Sequence, residues 1–517
     1  MIDIYFDNTQ VLLLTAALVS LLFSIAFHLR SKENLTVVFL VITALLVNSF
    51  AALLDPFLNI WDERFHALAA KNLMSHPFFP TLYDEPVVNM AYDRWDRYHI
   101  WLHKQPLFLW QIAVCFKLFG VSEFPLRLPM VIMGSLFTLA GFRSGRLLVN
   151  KNAGYFTALF IITCTYMLEL KTGRQALDHN DFTFLVYISL SIWTFIEYHY
   201  SGKKRWLYLT ALFSGFAVLC KWVVGLLVYL GWFVVKLLEK KFNPVLYKDL
   251  LLSFTITVLI ALPWQLYTFW RFPVEALQAY RFNVIHFTDA LEGHGGNFWY
   301  HFEIFDMLYG KYASWFIIPA GFVLYKRMND KKLFFALLVM VLAVYLFFSM
   351  TATKMTSFTT VVSLVIMLAL GSLAEYLVSL VKNISRSNAV YNCLFISAVL
   401  FFVVYRFDFV GFQKRHSKWM ENKTETSMLT HNARIFKSLV LPGNTVIFNV
   451  LGRHYIEAMF YTGLPAYSFI PSAEQYEDMK IKKRRIAVFK PREGELPSYM
   501  QNDTTVIVLD YQLEGPE

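Results

Sequence analysis

The feature that most constrains this chain is a succession of apolar runs that recur to about residue 411 and then stop. Each has the roughly 17 to 25 residues that a helix needs to cross the hydrocarbon of a bilayer. With 57% hydrophobic and only 16% charged side chains, the 517 residues carry too little charge for a soluble protein of that length, so the bilayer is the expected solvent. The runs predict helices at 11–29, 35–54, 126–148, 153–170, 180–198, 206–220, 222–238, 250–270, 312–325, 333–349, 358–380 and 390–409, about 12 spans. The stretch 106–119 is apolar but short, and suits a helix lying in the interface. Beyond residue 411 the chain turns polar, and strand-like runs at 446–450, 485–490 and 504–510 alternate with helical stretches. The expected fold is mainly α: a polytopic transmembrane helical bundle over 1–411, then a small extramembrane α/β domain over 412–517.

The cysteines, Cys115, Cys164, Cys220 and Cys393, lie in apolar segments with no CxxC or Cys/His spacing, which indicates neither a zinc site nor a disulfide framework. The acidic N-terminus has no cleavage motif after its first apolar run, so that run is expected to be retained as a helix. The formal charge of +10 comes from lysines and arginines in short turns rather than on an aromatic-interleaved face, which argues for orientation signals and against nucleic acid. When the spans alternate sides, the turns holding Arg30 and Lys32, Arg143 to Lys151, Lys203 to Arg205, Lys236 to Lys241, Lys326 to Lys332, and Lys382 and Arg386 fall on one face. By the positive-inside rule that face is cytoplasmic. The outer face receives loop 55–105, segment 171–179, Lys221, loop 271–311, the turn with Lys354 and the tail.

Every residue with evident chemistry lies on that outer side. Asp62 and Glu63, in Trp61-Asp62-Glu63-Arg64-Phe65-His66, form an acid pair at the membrane surface, where carboxylates are costly unless paired or used. Asp62 fits a general base toward an acceptor hydroxyl; the alternative is a solvated helix start whose acids favour the macrodipole. Lys104 is placed to hold a lipid phosphate at headgroup depth or simply to snorkel. Arg174 and Asp178, four residues apart, suit either phosphate and substrate positioning or a plain ion pair. Lys221 and Lys354 end apolar runs on the same side. In loop 271–311, His286, His294 and a glycine cluster precede Trp299 and Tyr300, whose rings fit a sugar or an interfacial belt. The two histidines match no specific metal-ligand spacing.

Together these pieces resemble the GT-C membrane glycosyltransferases, in particular the lipid A aminoarabinose transferases and dolichyl-phosphate-mannose protein mannosyltransferases. The acid pair opening the first outer loop looks like that branch's Asp-Glu motif, with His66 where tyrosine is frequent. His103-Lys104-Gln105-Pro106-Leu107 is similar to its Lys-Pro-Pro-Leu motif, with Gln105 in place of the first proline. Arg127-Leu128-Pro129, the Arg174 segment (which the resemblance reads with Asp178 rather than Asp181), Lys221 with Gly225, Leu262-Pro263-Trp264 and the Lys354 segment follow in the family's order. The resemblance implies a polyprenyl-phosphate sugar donor and an inverting single displacement onto a lipid, protein or glycan acceptor at the periplasmic face of a bacterial inner membrane. In it Asp62 and Glu63 are catalytic, while Lys104, Arg174, Lys221 and Lys354 bind the donor phosphate. Asp178, His66, His286, His294, Trp299 and Tyr300 position substrate. Some relatives use a divalent metal; with His66 and Gln105 departing from the pattern, no ligands are assigned. The rival class is a polyprenyl-linked sugar flippase or transporter, which predicts paired half-repeats and midplane charges. Neither is visible in the sequence.

Overall fold

The computed structural model describes residues 6–88, 95–175, 179–221, 223–239, 244–384, 387–412 and 425–515. Every expected span is met by a helix. Helices α1 (Asn8–Leu29) and α2 (Glu33–Ala52) form an apolar hairpin; Asp7 and Gln10 close a capping box on α1, and Ser31 turns the chain at φ 57°. After the first outer loop, with α3 (Asp62–Leu73), come α4 (Pro106–Phe119) and α5 (Glu123–Leu148). The run at 153–170 is broken into α6 (Lys151–Ile162) and α7 (Thr165–Leu170). Next are α8 (Asp181–Ser201), α9 (Lys204–Cys220), α10 (Leu227–Leu238) and α11 (Pro244–Arg271). The loop expected at 271–311 begins instead as helix α12 (Pro273–Ile285) and ends in two short helices, α13 (Tyr300–Glu303) and α14 (Phe305–Tyr309). The bundle closes with α15 (Ala313–Arg327), α16 (Lys331–Met350), α17 (Ser363–Ile384) and α18 (Asn388–Arg406).

Seven helices among the described residues are long and apolar enough to cross a membrane. Large apolar side chains face outward on several of them, Phe401 and Val404 at 72% and 79% exposure, which suits lipid rather than water. The chain is an integral membrane protein. The α5–α6 crossing depends on glycine: a Cβ at Gly145 would lie 2.6 Å from the Cα of Gly154, so the two backbones touch as small residues allow in lipid.

Charged side chains sort to the two ends of the bundle. One end carries pairs such as Arg143–Glu197, Arg146–Glu33, Lys204–Asp249 and His199–Asp330. The other end gathers the first outer loop, the segment before α8, Lys221, the α12–α14 loop and the turn after α16, as alternation of sides requires. Trp95 Nε1 donates to Glu292 there, tying two of these loops together at 2.8 Å.

The tail folds around a parallel three-stranded sheet, β1 (Thr445–Phe448), β2 (Arg485–Phe489) and β3 (Ile507–Leu509), in that spatial order. It packs on the first outer loop. Tyr83 and Lys71 donate to carbonyls of residues 459–466, Tyr455 donates to Asp96 O, and Arg453 pairs with the Asp96 carboxylate at 3.0 Å. Burial pulls the Lys71 ammonium down to about 8.

Candidate active site

At that end lies a cavity lined by aromatic and aliphatic side chains, among them Phe184, Val223, Phe347, Phe348, Phe358 and Val361, together with polar ones. Two lysine–carboxylate pairs face it. Asp62, at the first position of α3, lies 3.6 Å from Lys104 Nζ, which the chain reaches just before Pro106 starts α4. Asp181, the first residue of α8, pairs with Lys221 at the end of α9 and accepts a 2.5 Å hydrogen bond from Ser357 Oγ. The Lys221 ammonium also lies over the Phe358 ring at 5.2 Å. All four ionic side chains are at most 16% exposed, so their charges interact in a weakly screened environment. His103, Asn283, His286, Glu292 and Thr351 add further polar side chains to the lining; His286 Nδ1 lies 3.0 Å from Thr353 Oγ1.

The other expected site residues stand elsewhere. Glu63 is fully buried and clamped: Arg127 Nε and Nη2 donate to its two oxygens at 2.7 and 3.0 Å, and Asn59 N donates at 2.6 Å. Burial pushes the Glu63 carboxyl up, and the guanidinium opposes this. Gly173 is fitted to the same spot: its φ is +70°, and a Cβ would stand 2.8 Å from Glu63 Cδ. Arg174, expected on phosphate, grips Asp55 bidentately at 2.7 and 2.9 Å with only 1% of its side chain exposed. Lys354 is likewise committed away from the cavity; its ammonium donates to the carbonyls of Phe348, Ser349 and Thr351 at 2.6 to 2.9 Å and so caps the end of α16.

His66 is buried against His179, ring on ring, behind the cavity rather than in it. His294 gives its carbonyl to Lys354 N at 2.7 Å and does not line the cavity. Trp299 is 60% exposed and Tyr300 packs beside Gly296, so both fit the interfacial belt rather than a sugar platform. Asp178 lies outside the described residues. Among the described residues of this segment, the aspartate on the cavity is Asp181. The sequence offered it only as the alternative to Asp178, since its lysine is 40 residues away. Among the described residues no three His, Cys, Asp or Glu side chains converge as a metal site, so the divalent ion keeps no assigned ligands.

The architecture matches solved structures over nearly its whole length. ArnT from Cupriavidus metallidurans in the apo state superposes with a TM-score of 0.63 at 17% identity, covering 87% of this chain and 88% of that one. The same enzyme bound to undecaprenyl phosphate gives 0.61 at 16%, covering 86% and 88%. The oligosaccharyltransferase AglB from Archaeoglobus fulgidus, in complex with an inhibitory peptide and a dolichol-phosphate, gives 0.51 at 12%, covering 83% and 64%. The fold is GT-C. Residues 103–267 match the family model described as dolichyl-phosphate-mannose-protein mannosyltransferase. That GT-C segment holds Lys104, Asp181 and Lys221 but not Asp62. An uncharacterised protein of Aquifex aeolicus (strain VF5) is 31% identical over 177 residues, a match spanning 33% of this chain and 32% of that relative.

Proposed function

We propose that the chain transfers a sugar from a polyprenyl-phosphate carrier to an acceptor hydroxyl at the outer membrane–water boundary, in a bacterial inner membrane. The observation that carries this is the pairing of Asp62 with Lys104 and of Asp181 with Lys221 on the lining of one largely apolar cavity. Apolar walls suit an isoprenoid chain, and ammonium groups at headgroup depth suit its phosphate. In the inverting displacement, the acceptor oxygen forms a bond to the anomeric carbon as the bond from that carbon to the phosphate oxygen breaks. The departing electron pair stays on the phosphate, where Lys104 and Lys221 offset its charge. The acceptor proton passes to Asp62. Asp181, held by Ser357, keeps Lys221 aimed into the cavity. The two solved structures with bound lipid carry undecaprenyl phosphate and dolichol-phosphate, in line with such a donor.

The test is release of polyprenyl phosphate from a panel of polyprenyl-phosphate sugars by purified protein in nanodiscs. Wild type is expected to release it, and folded Asp62→Asn and Lys221→Ala to lose at least about 100-fold in kcat. No release with any donor, together with transbilayer movement of intact carrier that ignores Asp62, would replace the transferase by a flippase.

A further inference from the structure

The tail domain and the first outer loop meet along a cleft lined by Trp61, Arg64, Asp96 and Arg453. Arg453 belongs to the turn between β1 and the tail helix Tyr455–Thr462. Its Nε lies 3.0 Å from the Asp96 carboxylate, and its guanidinium stands 5.4 Å from the centre of the Trp61 ring and 5.9 Å from that of Trp95. The Asp96 side chain is only 2% exposed, and Tyr455 donates to the Asp96 carbonyl at 2.7 Å, so the anchor of the guanidinium is itself held. One tail side chain thus holds two indoles of the first outer loop, in each case as a cation set against an aromatic ring.

Each indole leads to one member of the Asp62–Lys104 pair. Trp61 immediately precedes Asp62 and is held at φ 75°, a conformation that a non-glycine residue keeps only where its surroundings impose it. Arg453 supplies that constraint at the ring. Trp95 stacks on His103 with ring centres 4.5 Å apart and planes 10° from parallel, and Lys104 follows His103 directly. The stack is fixed from the far side as well: Phe282 meets His103 edge-on at 5.2 Å, and Trp95 Nε1 donates to Glu292 at 2.8 Å. Asp62 and Lys104 lie on separate segments, so the 3.6 Å between their charged groups depends on both segments keeping their places. The Arg453 guanidinium touches the indole beside each.

We propose that Arg453 is a positioning residue: through Trp61 and Trp95 it holds Asp62 against Lys104, so that the tail domain takes part in the chemistry it borders. This role rests on the transferase reading, and it is tested in two ways, one of which needs no donor. The full chain is reconstituted in nanodiscs as wild type, Arg453→Gln, Arg453→Lys and Asp62→Asn. Glutamine keeps a donor for Asp96 and removes the cation from the indoles. Arg453→Gln is expected to lose about 10- to 100-fold in kcat for polyprenyl phosphate release at unchanged donor KM, the order that a displacement of about 1 Å in a reacting pair costs. Arg453→Lys, which keeps the cation, is expected to recover most of that loss. In the Asp62→Asn background, Arg453→Gln is expected to add less than about twofold, because both changes act through one carboxylate; a merely structural role would multiply the two losses. Without donor, the structure of Arg453→Gln is expected to show Trp61 outside the left-handed region and Asp62 beyond the roughly 4 Å of an ion pair from Lys104. Trp95→Leu, which removes the ring on the Lys104 side and leaves Arg453 on Asp96, is the second variant and is expected to open the same pair. Wild-type kcat in folded Arg453→Gln, a loss confined to KM, multiplied losses in the double variant, or an unmoved Asp62–Lys104 pair would each overturn the proposal. Absence of release by wild type, with the pair opened in the Arg453→Gln structure, would instead overturn the transferase reading and leave the brace standing.

Discussion

Asp62 and Glu63 are neighbours in sequence, and their substitutions are expected to separate completely. Glu63 accepts two hydrogen bonds from Arg127, whose guanidinium also donates to the carbonyls of Ala52, Asp55 and Phe57 at 2.7 to 2.9 Å, all fully buried. Removing the carboxylate in Glu63→Ala leaves a buried cation facing only neutral carbonyls and strands the amide of Asn59. Breaking a buried pair from one side costs about 3–5 kcal/mol. Glu63→Gln keeps the volume and one acceptor, so it should fall at or below the lower end of that range. Neither variant is rescued by removing the partner, because Arg127→Met also strips the carbonyls of Ala52, Asp55 and Phe57 of their donors. The assay is thermal unfolding in detergent beside polyprenyl phosphate release. Asp62→Asn should keep the wild-type transition and lose turnover; Glu63→Gln should lower the transition and retain turnover in whatever fraction stays folded. A Glu63→Gln protein with wild-type stability and no turnover would refute the clamp and return Glu63 to the chemistry.

Lys354→Ala should cost about 2–3 kcal/mol of stability through the three carbonyls it leaves uncapped, leaving donor KM unchanged; a stable variant that has lost only donor affinity would restore Lys354 to the phosphate. Arg174→Lys should destabilise by about 1–3 kcal/mol, since an ammonium cannot reproduce the bidentate grip on Asp55; wild-type melting with weaker donor binding would count against that. His301, fully buried in the outer loop with neither ring nitrogen hydrogen-bonded among the described residues, is held down to about 4 by burial and by Lys354. Its contribution is therefore complete above the unfolded value near 6.5 and is lost as pH falls through the folded value, about 2 kcal/mol by pH 5; His301→Phe should flatten that acid limb, measured by melting at pH 7.5 and 5.

Seven of the expected spans are met by helices long and apolar enough to cross a bilayer, and these were legible because length and apolarity decide that property; the other runs are helical but shorter, broken or less apolar. The strands were legible because each tail run is short, β-branched and bounded by turns; 446–450 and 485–490 each lie within a residue or two of a strand. What the sequence could not convey was the use of each cation. Lys104, Lys221 and Lys354 all follow or precede an apolar run on the same side, a context that fits snorkelling, phosphate binding and helix capping equally. Only the fold brings Phe348 and Ser349 carbonyls to Lys354, and Asp181 to Lys221 across 40 residues. The Arg174 partner was hidden for the same reason: Asp55 is 119 residues earlier, while the aspartate four residues away suggested a local pair.

The three residues that open α3 explain how one short motif serves three environments. Successive side chains on a helix are separated by about 100°. Asp62, Glu63 and Arg64 accordingly point to the donor cavity, to Arg127 and to the tail cleft. Trp61 precedes them at φ 75°, a conformation that costs a non-glycine residue about 1–3 kcal/mol and that the surrounding structure must enforce. The enforcing contacts are visible on both sides: Glu63 is pinned by Arg127 and Asn59, and the Arg453 guanidinium lies over the Trp61 ring. The Glu63 clamp thus fixes the rotation of α3 about its axis. That rotation turns Asp62 toward Lys104 on the cavity and Arg64 toward Glu457 of the tail.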